Sequence, residues 1–131
     1  MLVSSIYNQE VLNFNPLPYP VPMLDWELRV MHYLRKQGHY VIYKPHPESR
    51  FKAESIMKKF NFGISLEKFD KSYHKMDLLI FGVANTSAFY EACKSNIPIF
   101  VVEIGFRKWS EHAIKFLRKR AGFMTCSNDK D

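Results

Sequence analysis

Cysteine is nearly absent from this chain. The two present, Cys93 and Cys126, show no CxxC spacing and fall in different predicted elements. That excludes a disulfide framework and a thiolate zinc site, and leaves reduced thiols of a cytoplasmic protein as the expectation. Long apolar runs are also lacking. The longest, Ile97 to Val102, is far too short to cross a bilayer and has Pro98 inside it. Met1 leads into Leu2-Val3-Ser4-Ser5-Ile6-Tyr7 with no basic stretch, so no signal peptide is expected. There is no HExxH, and His32, His39, His74 and His112 have no ligand spacing, so no metal is expected. Neither a P-loop lysine motif nor GxGxxG occurs, which argues against an NTPase and a dinucleotide oxidoreductase. Asp129-Lys130-Asp131 spells DxD but lies in a charged tail over 127–131.

The 131 residues fit a single domain, 1–131. Hydrophobic residues make up 47%, with eleven Phe and seven Tyr, enough to build a core and to argue against disorder. The formal net charge of +6 favours anionic partners: a nucleotide, a phosphorylated acceptor, an acidic membrane surface or nucleic acid. Much of the excess falls late, at Arg107, Lys108, Lys115, Arg118, Lys119 and Arg120, where a solvated helix face is the plainer reading. No recognition helix or aromatic stacking motif supports nucleic acid.

Strand and helix patterns alternate along the chain. Leu2 to Ile6 reads as a first strand, and Asn13 to Pro22, with four prolines, as an extended loop. Asp25 is placed as the cap of a helix to about Gln37, with Leu24, Leu28, Met31 and Leu34 on one stripe and Gly38 as its stop. Tyr40 to Lys44 is strand-like, and Glu48 to Phe60 a basic helix. A short strand is expected near Gly63-Ile64-Ser65, then a helical turn over Phe69 to His74. Asp77 to Gly82 and Ile97 to Val102 suit strands buried on both faces. Thr86 to Ser95 reads as a helix, and so does Trp109 to Arg120, with Trp109, Ala113, Phe116 and Leu117 inward. Gly122 is expected to end that last helix, and Phe123 to Cys126 to form a last strand. Such alternation predicts a doubly wound, mostly parallel sheet with helices on both faces, a Rossmann-like three-layer sandwich. Ligands bind such sheets at the carboxyl ends of the strands, which singles out Ser4 to Asn8, Lys44 to Glu48 and Gly82 to Ser87.

Three constellations there carry chemistry. Lys44-Pro45-His46-Pro47 pins an imidazole between two prolines, with a cation beside it, where it can donate to a phosphate oxygen or act as an acid or base. Asn85-Thr86-Ser87 opens a helix: either Asn85 or Thr86 can cap it, and hydroxyls at a helix start can seat a phosphate or simply cap. Glu91, one turn beyond Ser87, can accept from ribose hydroxyls or remain a solvated surface acid. Ser4-Ser5 follows the first strand, where Ser5 can face the ligand.

Taken with the stretch from Leu34 through Gly38 to Glu48, the run Asp77 to Phe81, Asn85 to Ala92, and Asn96 to Val101, these motifs resemble a known family. The chain is similar to the C-terminal, nucleotide-binding half of GT-B fold glycosyltransferases, nearest to bacterial capsule polysaccharide, polysialyl and polyglycerol-phosphate transferases. The likeness covers roughly Ile6 to Gly122. It implies that His46 contacts the donor phosphate or assists its departure, that Thr86 and Ser87 hold that phosphate, and that Glu91 binds the ribose. The substrate it implies is a nucleotide-activated donor, with no separate cofactor. Glycerol-phosphate enzymes usually carry an Asp just before the hydroxyl pair, whereas Gly82-Val83-Ala84-Asn85 stands here, so the donor type stays open. GT-B enzymes react across a cleft between two such domains. The expectation is therefore a fragment or half-enzyme, completed by an acceptor-binding domain or subunit, prone to self-association, and cytoplasmic with contact to the anionic inner membrane face. The other class in play is a non-catalytic partner or regulatory subunit.

Overall fold

The computed structural model describes residues 1–4, 20–84, 86–103 and 109–125. Among them, β1 (Leu2–Val3), β2 (Ile42–Lys44), β3 (Gly63–Ile64), β4 (Leu79–Phe81), β5 (Ile99–Glu103) and β6 (Gly122–Thr125) form one sheet. Its order is β3-β2-β1-β4-β5-β6 and every pairing is parallel. The intervening helices are α1 (Pro20–Lys36), α2 (Arg50–Lys59), α3 (Phe69–Ser72), α4 (Ser87–Cys93) and α5 (Glu111–Leu117). The architecture is α/β, doubly wound and Rossmann-like, as the alternation of patterns predicts.

Alternate strand residues divide the core into two layers. Leu2, Tyr43, Ile80 and Val102 face one way, against Met31 of α1, Met57 of α2 and Phe62. Val3, Leu79, Phe81, Ile99 and Val101 face the other, against Tyr73 and against Phe89 and Ala92 of α4. Both faces of the inner strands are therefore dry, which is why β4 and β5 read as continuous apolar runs rather than alternating ones.

Several boundaries differ from expectation. Helix α1 begins at Pro20, so Pro20 and Pro22 lie in its first turn rather than in a loop. A first-turn proline costs little there, because its missing N–H would have no intrahelical partner. Asp25 is consequently not a cap but an exposed helical residue, paired with Arg29 at 2.7 Å. The stop at Gly38 is as expected: its φ is +87°, and the Gly38 N–H to Arg35 O and His39 N–H to Leu34 O bonds close a Schellman turn. Asn61, at φ +55°, ends α2 the same way, with Asn61 N–H on Lys58 O and Phe62 N–H on Met57 O. In α5, capped by the Ser110 hydroxyl on Ala113 N–H at 3.2 Å, Phe116 points outward and is 67% exposed rather than buried. The short helix turns Ala113, Ile114 and Leu117 inward, and Lys119 lies over the outward Phe116 ring. Gly122 lies within β6 instead of ending α5. A Cβ there would stand 2.4 Å from the Phe100 ring, so only glycine fits.

Arg120, grouped by sequence with a solvated basic run, is a staple. Its Nε reaches Cys93 O at 3.1 Å, and its Nη2 reaches Ala92 O, Ser95 O and Ile97 O at 3.2, 2.6 and 3.0 Å. These carbonyls end α4 and lead into β5, and a guanidinium supplies both the fork of donors and the charge that a helix C-terminus favours. Arg120→Ala should lower the unfolding free energy by about 2–3 kcal/mol, the scale of losing charge-assisted hydrogen bonds. Arg120→Lys should recover only part of it. Urea titration measures both, and a loss under about 0.5 kcal/mol, ordinary for a surface substitution, would refute the staple.

Candidate functional site

In the order β3-β2-β1-β4-β5-β6 the chain builds outward from β1 in one direction and from β4 in the other. The switch point lies between β1 and β4, where parallel α/β sheets open a crevice at the strands' carboxyl ends. A cleft of about 650 Å³ lies there. It is lined by Val3 and Ser4 at the end of β1, Lys44 to Pro47 at the end of β2, Leu66 to Asp70 after β3, and Thr86, Ser87, Ala88 and Glu91 after β4. Of the candidate residues, Lys44, His46, Thr86, Ser87 and Glu91 therefore line one cavity, although about forty positions separate His46 from Ser87. Ser5 and Asn85 lie outside the described residues, as do Arg107, Lys108, Cys126 and the tail.

Local sequence explains each position. Pro45 cannot donate to the ladder, so β2 ends at Lys44, and Pro47 opens a 3-10 turn over Pro47–Ser49. His46 is held between them. Its Nδ1 accepts the Glu48 backbone N–H at 3.3 Å, so in the neutral ring the proton sits on Nε2, making that atom a donor. Burial holds the imidazole below its ordinary value of 6.5, with the Glu48 carboxylate opposing the shift and the Lys44 ammonium adding to it. Lys44 itself is 7% exposed.

On the β4 side, Gly82 permits close approach: a Cβ there would meet the Trp26 ring at 2.7 Å. Of the two candidate caps, Thr86 caps α4, its Oγ1 accepting from Phe89 N–H at 3.2 Å. That bond uses a lone pair and leaves the hydroxyl proton free to donate. Ser87 is exposed at the first helical position. Glu91 is half-buried at the cleft wall and pairs with exposed Lys94 at 2.8 Å.

Two features were missed by sequence reasoning. Glu27, 1% exposed, accepts hydrogen bonds through one carboxylate oxygen from Tyr43 OH at 2.8 Å and Ser4 Oγ at 3.2 Å. It ties the ends of β1 and β2 to α1 beneath the cleft. Its signal is legible: Glu27 is four residues from both Met23 and Met31, a carboxylate interrupting an apolar stripe. The other is Leu66 to Asp70, whose mixed sequence carries no periodic signal. Glu67, Asp70 and Glu91 set three carboxylates in the lining against Lys44 and Lys68. Among the described residues, no group of three or more His, Cys, Asp or Glu is placed to hold a metal, and no helix is long and apolar enough to cross a membrane.

No family model, curated protein or solved structure matches the chain.

Thr86→Ala should cost about 1 kcal/mol and Thr86→Ser almost nothing, since only the first removes the cap acceptor. Equal losses in urea titrations would show that the hydroxyl does not cap. Because the folded His46 binds its proton less readily than the unfolded one, its contribution is fully present above pH 6.5 and is lost as pH falls through the lowered value. The melting temperature of His46→Gln should therefore fall less between pH 7 and pH 5 than that of the parent. Parallel curves would exclude His46 as a source of acid sensitivity.

Proposed function

We propose that this domain binds the nucleotide-activated donor of an inverting, metal-independent glycosyl- or polyol-phosphate transferase in surface polysaccharide biosynthesis. One observation carries the reading: a cleft at the switch point of a Rossmann-like sheet gathers Lys44, His46, Thr86, Ser87 and Glu91 from the ends of β2 and β4. Donors suited to a phosphate and an acceptor suited to a diol lie in one cavity. The resemblance to capsule polysaccharide, polysialyl and polyglycerol-phosphate transferases gives the same groups the same work.

In this reading the His46 Nε2–H and the Thr86 and Ser87 hydroxyls donate to phosphate oxygens and stabilise the charge that grows as the donor departs. Lys44 supplies a cation behind them. Glu91 accepts from the ribose hydroxyls, exchanging its exposed bond to Lys94. A base for the acceptor comes from an acceptor-binding domain or subunit facing the cleft, and the anionic inner membrane face is a peripheral contact. A non-catalytic partner role is favoured by a different feature: α5 buries no residue completely and leaves Phe116 outward, a surface suited to a second protein.

Calorimetric titration with cytidine and uridine mono- and diphosphates should show weak, saturable binding. His46→Ala and Ser87→Ala should each weaken it by about 1–3 kcal/mol, the scale of a lost hydrogen bond to a charged group. Absence of binding at millimolar concentration would overturn the donor site. Sugar transfer by the purified chain would overturn the need for a second wall.

A further inference from the structure

Tyr33, Tyr40, Tyr90 and Phe116 are the aromatic side chains that, among the described residues, keep more than half of their surface in water. Three of them carry a hydroxyl that water satisfies. The Phe116 ring has no polar atom, so its exposure leaves apolar area in water. It stands on α5, where His112, Lys115 and Phe116, with Lys119 in the turn that follows, recur at the three- and four-residue spacing of one helix face. All four are exposed, and so is Arg118. The Lys119 Nζ lies 5.5 Å from the centre of the Phe116 ring. Lys115, Arg118 and Lys119 enter none of the ion pairs among the described residues. Glu111 is the one acidic residue between positions 111 and 125, so these three cations stand against one carboxylate. Arg120 is turned in to the carbonyls beyond α4 and takes no part. The inner side of the helix is engaged with the protein, with Trp109, Leu117 and Phe123 packed against the core.

The character of this face selects its partner. A stable protein interface covers roughly 800 Å² of each partner and centres on a cluster of buried anchors. Here Phe116 is the one large exposed hydrophobic side chain on α5, and cations surround it. A lipid surface asks for no matching shape: anionic headgroups take the lysine and arginine charges, and a ring between them enters the acyl margin.

We infer that the outer face of α5 docks on an anionic lipid bilayer, with Phe116 inserted and Lys115, Arg118 and Lys119 against the headgroups. The inference rests on the membrane contact in the reading above and names its surface. It does not rest on the donor site, because no residue from 109 to 125 lines the cleft. Vesicle binding and nucleotide binding therefore fail separately.

The test is co-sedimentation of the full chain with vesicles of phosphatidylcholine alone and of an equimolar mixture of phosphatidylcholine and phosphatidylglycerol. The chain should bind the mixed vesicles at least about tenfold more tightly, and added salt should release it. K115Q/K119Q should weaken binding to the mixed vesicles about twenty-five-fold, at about fivefold for each cation near an anionic surface. The control K36Q/K59Q removes the same charge from exposed positions on α1 and α2, and should weaken it much less. F116A should weaken it about tenfold, whereas F116W should preserve it, because an indole also suits the interface. Failure of the parent to bind the mixed vesicles overturns the inference. So does an equal loss in K115Q/K119Q and K36Q/K59Q, which would make net charge alone the cause. Self-association that F116A abolishes, without vesicle binding, would assign the face to a second copy of the chain and overturn the lipid reading.

Discussion

The pairing of β1 on both edges is the constraint on which the rest of the structure depends. This two-residue strand lies between β2 and β4, with Leu2 opposite Tyr43 and Ile80, and Val3 opposite Lys44 and Phe81. Ser4 N–H extends the ladder to Lys44 O, and Met1 O takes the Ile80 N–H, both at 2.9 Å. Leu2 and Val3 belong to opposite core layers, so a slip of one residue would invert both. Because β1 separates the two halves of the sheet, its register decides whether the end of β2, with His46, and the end of β4, with Thr86, open onto one cavity. Glu27 reinforces this point by joining Ser4 and Tyr43.

Helices α2, α4 and α5 are short, and isolated helices of seven to ten residues would not hold in water. Their ends are fixed by specific bonds instead. Thr86 and Ser110 cap the starts of α4 and α5. Arginines from distant elements close the other ends: Arg35 of α1 donates to Phe60 O at 3.0 Å beyond α2, and Arg120 gathers the carbonyls beyond α4. Arg35 also lies 4.3 Å from the centre of the Phe62 ring, so the cation that closes α2 also packs on the core. Such cross-element capping means that a charged residue can serve the fold while reading as surface.

That double character decides what the sequence could reveal. Parallel order and helical layers were legible, because strands dry on both faces have a distinct apolar signature and alternation with helices leaves few topologies. The shared edge of His46 and Ser87 was legible for the same reason: both follow parallel strands. What failed depended on tertiary partners. Prolines 20 and 22 signalled a loop because a first-turn proline and a loop proline look alike without a known start. Phe116 was placed inward because an aromatic at helical spacing usually is, and only the start of α5 after Ser110 rotates it to solvent. Arg120 looked like one of a run of cations, and nothing local announces four carbonyls arriving from Ala92 to Ile97.

The distribution of charge limits how the cleft can bind. The chain carries a net +6, yet the lining of the cleft holds three carboxylates against two lysines, with an imidazole that burial keeps neutral to lower pH. The basic excess therefore lies mostly outside the cavity, where it can raise the local concentration of anions without reading them. Inside, discrimination falls to directional donors: the Nε2–H left by the Glu48 bond to Nδ1, the Thr86 hydroxyl whose lone pair is already engaged, and the exposed Ser87 hydroxyl. Under the proposed reading, such a cavity would favour an anion small enough to meet those donors together. Strands β2 and β4 flank β1, so their ends stand about two strand spacings, roughly 10 Å, apart. In the proposed reading His46 and Ser87 would share one phosphate only by projecting toward each other across the end of β1, so the register that the fold requires would also be a condition of binding.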